Sequence, residues 1–276
     1  FFSSVFIWII IRGGIYLLPG DPAEYLAHES MVPIQASVIR ESLNLNHTFT
    51  ERVFSLPETH SLINSIKSED LLRPAITKTL TLSTLAFSFS FLITVALLYL
   101  YFAFPWATQA IHTYATGMAS LPLSVMGPLA ILTFCVQIPI FPITQSPWLP
   151  ALCLALHLSA FWFRSIQKKI DRFLPQSSVL GARSRGLSEF KVFFKNLFIP
   201  VLGSIASFLG TEFGNLLSGS VLVEIIFQWN GIGSLLLKSV HQRDYPLIEV
   251  TLLITALATV LSQQLGYWFQ RQLGAE

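Results

Sequence analysis

Six apolar runs, each close to the length at which a helix crosses a hydrocarbon core, decide most of what this chain can fold into. They are Phe1–Leu18, Thr79–Phe102, Ile111–Gln137, Trp148–Phe163, Leu197–Leu217 and Leu247–Phe269. A bilayer core asks for roughly 20 apolar residues as helix. Lipid offers no partner to open backbone groups, so helix is the form such runs must take. The first run is interrupted by Arg12 and the pair Gly13-Gly14, the fourth is short, and the fifth carries Glu212. Composition agrees. Of 276 residues 53% are hydrophobic and 12% charged, with a mean hydropathy of +0.61, where a soluble domain carries about a quarter charged residues. The expectation is an all-α membrane protein with six transmembrane helices.

Charge placement orients it. The linker 165–195 holds seven basic residues (Lys168, Lys169, Arg172, Arg183, Arg185, Lys191, Lys195) against Asp171 and Glu189. The segment 19–77 holds four basic and eight acidic residues. Basic linkers stay in the cytoplasm, so 165–195 is expected inside and 19–77 outside. Counting six spans then puts both termini in the cytoplasm of a multi-pass plasma-membrane protein. The linker Ala103–Ala110 has no charge, and its inside placement rests on counting alone. Within 19–77, Ser37–Leu45 reads as a short amphipathic helix, and Leu56, Leu62, Ile63 and Ile66 continue an apolar pattern. A small extracytoplasmic cap, partly helical, is expected there. The domain division is 1–18 as first span, 19–77 as outer segment and 78–276 as transmembrane domain. The chain starts at Phe1 with no basic residue before the first run, which reads as an incomplete N-terminus. A cleaved signal peptide is the alternative, but no small-x-small cleavage site follows.

Several chemistries are excluded by the residues themselves. No Gly-Lys dipeptide occurs, so there is no Walker A loop. HExxH and GxSxG are missing. The six histidines (His28, His47, His60, His112, His157, His241) are scattered, none at i+3 or i+4 from another, so no metal site is expected. Cys135 and Cys153 sit in apolar runs and read as small buried hydrophobes. Gly231-Ile232-Gly233 reads as a turn rather than a phosphate cradle. A net charge of +2 gives no reason to expect nucleic acid.

The loop 179–196 contains Ala182-Arg183-Ser184-Arg185-Gly186-Leu187-Ser188-Glu189-Phe190-Lys191. It reads as a short helix, a break at Gly186, and a second helix with Leu187, Phe190 and Phe194 on one face. Lys191 and Lys195 lie one turn apart. Two readings stay open on spacing alone: a basic helix resting on anionic lipid, or an element that inserts into a groove of a cytoplasmic partner.

Ala182–Leu187, with Ser188-Glu189 and then Pro200, resembles the coupling-loop motif of ABC importer permeases. More closely it is similar to the B-type permease of dipeptide and oligopeptide importers, which has an Ala-Arg-Ala-Lys-Gly-Leu pattern here. Other stretches resemble that family in order: Leu18-Pro19-Gly20-Asp21-Pro22, Ile39–Leu45, Thr79-Leu80-Thr81-Leu82, Ser120-Leu121-Pro122, Gly219–Glu224 with Phe227, Gly231, Ile232 and Gly233, and Arg243-Asp244-Tyr245-Pro246. The resemblance implies a permease subunit of an ATP-driven importer that forms a peptide pathway with a second, homologous permease. It implies two ATPase subunits and an extracytoplasmic binding protein as further partners. ATP and Mg would bind the ATPases, and this chain would bind no cofactor and catalyse nothing. Ala182, Arg183, Arg185, Gly186, Leu187, Glu189, Phe190, Lys191 and Phe194 would form the ATPase-coupling loop, with Phe190 and Phe194 filling the partner's groove.

An ionisable group inside a span usually faces protein or water. Glu212, with Asn215 and Ser218, is either a polar lining of the pathway, or a structural pair with another span or a position at the outer interface. Glu224, Gly231, Gly233 and Asp244 fall in the last outer loop, where the two acids are expected to order the loop or meet the binding protein. The rival reading is an ion-driven secondary transporter without an ATPase. That would need paired broken spans or inverted repeats with midplane charges, and Glu212 is the one strong candidate.

Overall fold

The computed structural model describes residue 10 and residues 66–142, 146–175, 177–242 and 244–273. The first run Phe1–Leu18, the helix expected at Ser37–Leu45 and most of the outer segment lie outside the described residues. Everything regular among the described residues is helical. Helix α1 runs Ile66–Ala103, and a 3-10 turn at Pro105–Ala107 leads to α2 at Thr108–Ser120. Helix α3, Leu123–Ile131, continues into a π turn at Leu132–Gln137. Helix α4 is Trp148–Phe173 and α5 is Ser177–Ser184. Helix α6, Glu189–Lys191, passes through a π segment, Val192–Phe198, into α7 at Ile199–Gly219. Helices α8 (Val221–Ile226), α9 (Ile232–His241) and α10 (Tyr245–Gln272) are the last among the described residues.

Among the described residues, four helical stretches are long and apolar enough to cross a membrane: Leu71–Ala103, Trp148–Phe173, Glu189–Ile226 and Leu247–Gln272. The third expected run is not one rod. Pro105–Ser120 and Leu123–Gln137 meet at a 99° bend. Pro122 explains the break, because it lacks an N–H and bars its predecessor from helix. Leu121 is accordingly extended, with φ −81° and ψ 118°. If the bent pair counts as one span, the described residues hold five.

Boundaries also shift. Helix α1 is already helical at Ile66, so the 77/78 division between outer segment and transmembrane domain falls inside a helix. Helix α4 outruns the apolar run Trp148–Phe163 by ten residues, through Arg164–Phe173. Those residues keep the helical hydrogen bonds while their charged heads reach for water. Lys169 Nζ reaches the Ser204 carbonyl of α7 at 2.6 Å. Tyr101 of α1 donates to Asp171 Oδ1 at 3.1 Å.

Two apolar clusters hold the bundle. One gathers Leu98, Trp162, Phe163, Ile166, Phe193, Leu197 and Ile205. The other gathers Leu82, Ala86, Leu154, Leu216, Val223, Phe227 and Trp229. Helix α1 carries polar residues on its buried side, Thr79, Ser83, Ser90 and Thr94. Ser90 donates to the Ala86 carbonyl at 2.6 Å, Ser83 to the Leu216 carbonyl of α7 at 3.3 Å and Thr79 to Glu224, whereas the buried Thr94 hydroxyl has no hydrogen-bond partner among the described residues.

Helices α7 and α10 approach most closely at glycine. A Cβ on Gly210 would lie 2.6 Å from the Ser262 carbonyl and 2.7 Å from Gly266 Cα. One on Gly214 would lie 3.1 Å from Thr259 Cα. Small residues allow backbones to touch where lipid supplies no hydrophobic drive between helices. The Thr259 hydroxyl uses that closeness to donate to the Gly214 carbonyl at 3.2 Å.

Candidate functional site

Three groupings of expected residues take shape, at different heights of the bundle. The first is the loop at Gly186. Helix α5 ends in a Schellman closure: Gly186 N donates to the Arg183 carbonyl at 2.9 Å and Leu187 N to the Ala182 carbonyl at 3.3 Å. This geometry needs a left-handed residue, and Gly186 supplies it with φ +73°. A Cβ there would meet nothing within 4 Å, so the requirement is backbone conformation and not space. Buried Ala182 anchors the turn from below, and Arg183, Arg185, Leu187, Glu189, Phe190 and Lys191 are exposed around it.

Across the turn, Arg183 Nη2 bonds Glu189 Oε2 at 3.0 Å, joining the two arms. Both side chains are about 40% exposed or more, so the pair is worth at most about 1 kcal/mol. The Arg183 guanidinium also sits 4.7 Å over the Phe102 ring of α1. The two phenylalanines given to the partner's groove part company here. Phe194 is half-buried against Phe193 (5.0 Å), Phe198 (5.9 Å) and Tyr99 (6.2 Å). The Phe190 ring lies tilted against that of Phe194 at 4.6 Å yet stays 57% exposed. The ring left for an outside surface is therefore Phe190's.

The second grouping lies within the bundle. Glu212 of α7 accepts from Trp162 Nε1 of α4 at 2.9 Å and from Asn215 Nδ2 at 3.3 Å. The Trp162 ring is edge-on to Phe87 of α1, which is edge-on to Phe213. Ser218 instead bonds backwards to the Gly214 carbonyl at 3.2 Å. Glu212 thus has the cross-helix partner of the structural alternative, while Asn215 and Ser218 remain exposed beside it.

The third grouping is the segment expected as the last outer loop, and it is the most tightly built. Glu224 is fully buried. Its Oε1 accepts from Thr79 Oγ1 at 2.7 Å and Ser220 Oγ at 2.9 Å, and its Oε2 from Ser234 N at 2.9 Å. A buried carboxylate is tolerated only with such donors. Thr79 in turn accepts from Ile232 N at 2.8 Å. Gly231 is buried and has no room for a side chain, since a Cβ there would run into Thr79 Oγ1 and Glu224 Oε1. A Cβ on Gly233 would press on Val221 at 2.6 Å. Trp229 Nε1 donates to the Lys78 carbonyl at 2.9 Å, with Lys78 Nζ 5.5 Å from its ring centre. Asp244 stands apart as the N-cap of α10, accepting from Leu247 N at 3.1 Å. The Glu224 carboxylate therefore orders the loop, and Asp244 starts the last helix.

The sequence marked Thr79 only as the start of a span motif and gave no role to Trp162, Trp229 or Tyr99. Each is an ordinary span or loop residue by type. The one available signal was that Glu212 and Glu224, as acids next to apolar runs, each had to find donors somewhere.

The family model for binding-protein-dependent transport system inner membrane components matches residues 93–275. The chain is 26% identical over 280 residues to the glutathione transport system permease protein GsiC of Escherichia coli (strain K12), covering 95% of this chain and 89% of that protein. It is 27% identical over 273 residues to the protein of the same name from Pectobacterium atrosepticum, covering 94% and 89%. Among solved structures, an amino acid ABC transporter crystallised with histidines superimposes with a TM-score of 0.61 at 20% identity, covering 76% of this chain and 97% of that one. That likeness shares the fold. Matching across about two thirds of its length, with apolar helices to span the bilayer, this chain is a multi-pass member of the binding-protein-dependent transport system inner membrane component family.

Proposed function

We propose that this chain, an ABC importer permease by family and by its relatives, conducts peptides of the size of glutathione or a dipeptide into the cell. It does so paired with a second, homologous permease, two ATPase subunits and an extracytoplasmic binding protein. ATP and Mg are held by the ATPases, since no Walker A loop exists in this sequence. The full topology in this reading has six spans, both termini in the cytoplasm, and an outer cap between the first two spans. The peptide assignment rests on the relatives whose printed name is a glutathione permease.

The observation that carries the coupling role is the Schellman turn at Gly186. It leaves Arg185, Leu187, Phe190 and Lys191 exposed on a glycine-closed corner, with the Phe190 ring resting against Tyr99 and Phe194. A corner with one exposed aromatic ring and a basic rim suits a groove with an acidic edge. Glu212, Asn215 and Ser218 supply the polar stripe along α7 that lines the pathway. The test is copurification of the ATPase with a tagged chain. Replacing Arg185→Glu, Phe190→Ala and Lys191→Glu together touches exposed side chains and spares buried Val192 and Phe193. The ATPase should be retained by the parent and lost from the triple variant. Equal recovery from both would refute docking at this corner.

A further inference from the structure

The geometry points to α1 as the rod that carries movement of the Gly186 loop to the outer Glu224 loop, with Tyr99 positioning its inner end and Thr79 its outer end. This rests on the coupling reading above and extends it. The same helix touches both places. Near its C-terminus, Tyr99 lies 5.4 Å from Phe193, 5.7 Å from Phe190 and 6.2 Å from Phe194. Phe102 lies 5.5 Å from Phe193 and beneath Arg183. Twenty residues earlier, Thr79 and Lys78 hold Glu224, Ile232 and Trp229. At 1.5 Å per residue, Thr79 and Tyr99 are about 30 Å apart, the thickness of the hydrocarbon core.

Stiffness favours this path over the covalent one. After Pro74, α1 contains no proline or glycine, so no hinge interrupts it between its two contacts. The chain from Glu189 to Glu224 also joins the two loops. It contains the π segment Val192–Phe198, the glycines Gly203, Gly210, Gly214 and Gly219, and a break at Ser220. Such features absorb displacement. The aromatic joint at Tyr99 is made of rings in contact, and the outer joint is made of hydrogen bonds to a fully buried carboxylate. Packed joints of this sort shift between discrete arrangements and do not deform smoothly.

The experiment uses the assembled transporter in nanodiscs, with Cys135 and Cys153 replaced by serine and Asn230→Cys as reporter. Asn230 is exposed in the outer loop. Maleimide labelling of that cysteine is timed without nucleotide and with ATP, Mg and orthovanadate. The parent should show different rates in the two states. Tyr99→Ala should shrink that difference about five-fold or more, the low end of ordinary coupling between sites, while Tyr99→Phe keeps it. Thr84→Gly with Ser88→Gly softens the rod at two exposed positions without touching either joint, and should shrink the difference too. This second variant decides the matter if Tyr99→Ala does not assemble. A responding parent with softened and Tyr99→Ala forms that respond equally overturns the rod and leaves the coupling reading standing. A parent whose outer loop ignores nucleotide also overturns it. Absence of the ATPase from the parent complex refutes the coupling reading itself.

Discussion

The Thr79 hydroxyl donates to the Glu224 carboxylate at 2.7 Å, joining residues 145 apart in the sequence inside a fully buried site. The same hydroxyl accepts from Ile232 N, so one small side chain closes both the carboxylate shell and the start of α9. Thr79→Val keeps the shape and removes both bonds. The expected cost is about 1–3 kcal/mol, the penalty for buried polar groups left unpaired. It should appear as a lowered Tm of the detergent-purified protein. A Tm equal to the parent's would mean that the hydroxyl holds nothing.

Gly186 should tolerate substitution according to backbone conformation, since a Cβ meets no neighbour. Gly186→Asn keeps access to the left-handed region, whereas Gly186→Val forces a strained turn at about 1–2 kcal/mol. ATPase copurification should survive the first and fall with the second. Gly186→Asp also reaches the left-handed region but sets a negative charge beside Arg183, Arg185 and Lys191, so it should leave membrane insertion intact and uncouple transport from ATP hydrolysis through charge. Normal peptide uptake by the Val form would show that the corner's shape is irrelevant, and by the Asp form that its positive charge is.

The contact of α7 with α10 should be sensitive to a single methyl. Gly210→Ala would bring a Cβ to 2.6 Å from the Ser262 carbonyl, and separating the helices should cost about 1–3 kcal/mol. Gly117→Ala is the control. It lies in the interior of α2 with open space around it, and helix propensity predicts a gain of about 0.5–1 kcal/mol. Thermal unfolding of both variants should therefore move in opposite directions. A loss at both positions would point to a general intolerance of larger residues.

Glu212 and Trp162 should behave as one unit. A double-mutant cycle with Trp162→Phe and Glu212→Leu, which leaves no acceptor, isolates their 2.9 Å bond from the volume lost at the ring. The expected coupling is about 0.5–3 kcal/mol. Additive effects would free Glu212 from its structural partner and leave it wholly to the pathway.

Periodicity and charge made much of this molecule readable. The runs at Thr79–Phe102, Trp148–Phe163, Leu197–Leu217 and Leu247–Phe269 each lie inside an observed helix. The Gly186 turn follows from a lone glycine between two helical patterns. What escaped reading has physical causes. Helix does not stop where apolar residues stop, so α4 continues through Arg164–Phe173. Pro122 was visible, but a 99° bend depends on what each half packs against. The pairing of Thr79 with Glu224 is a long-range match that no local pattern encodes. The close approach of Gly210 and Gly214 to α10 is likewise a long-range match. Phe194 looked equivalent to Phe190 on a helical wheel, and only the surrounding rings separate them.

The most direct measurement is uptake of labelled glutathione and of a labelled dipeptide into proteoliposomes that hold this chain with its second permease, ATPases and binding protein. The expected result is accumulation of at least one of them that requires internal ATP and the external binding protein, and that disappears with Arg185→Glu, Phe190→Ala and Lys191→Glu combined. Uptake of either compound by the chain alone, driven by an ion gradient and indifferent to ATP, would contradict it.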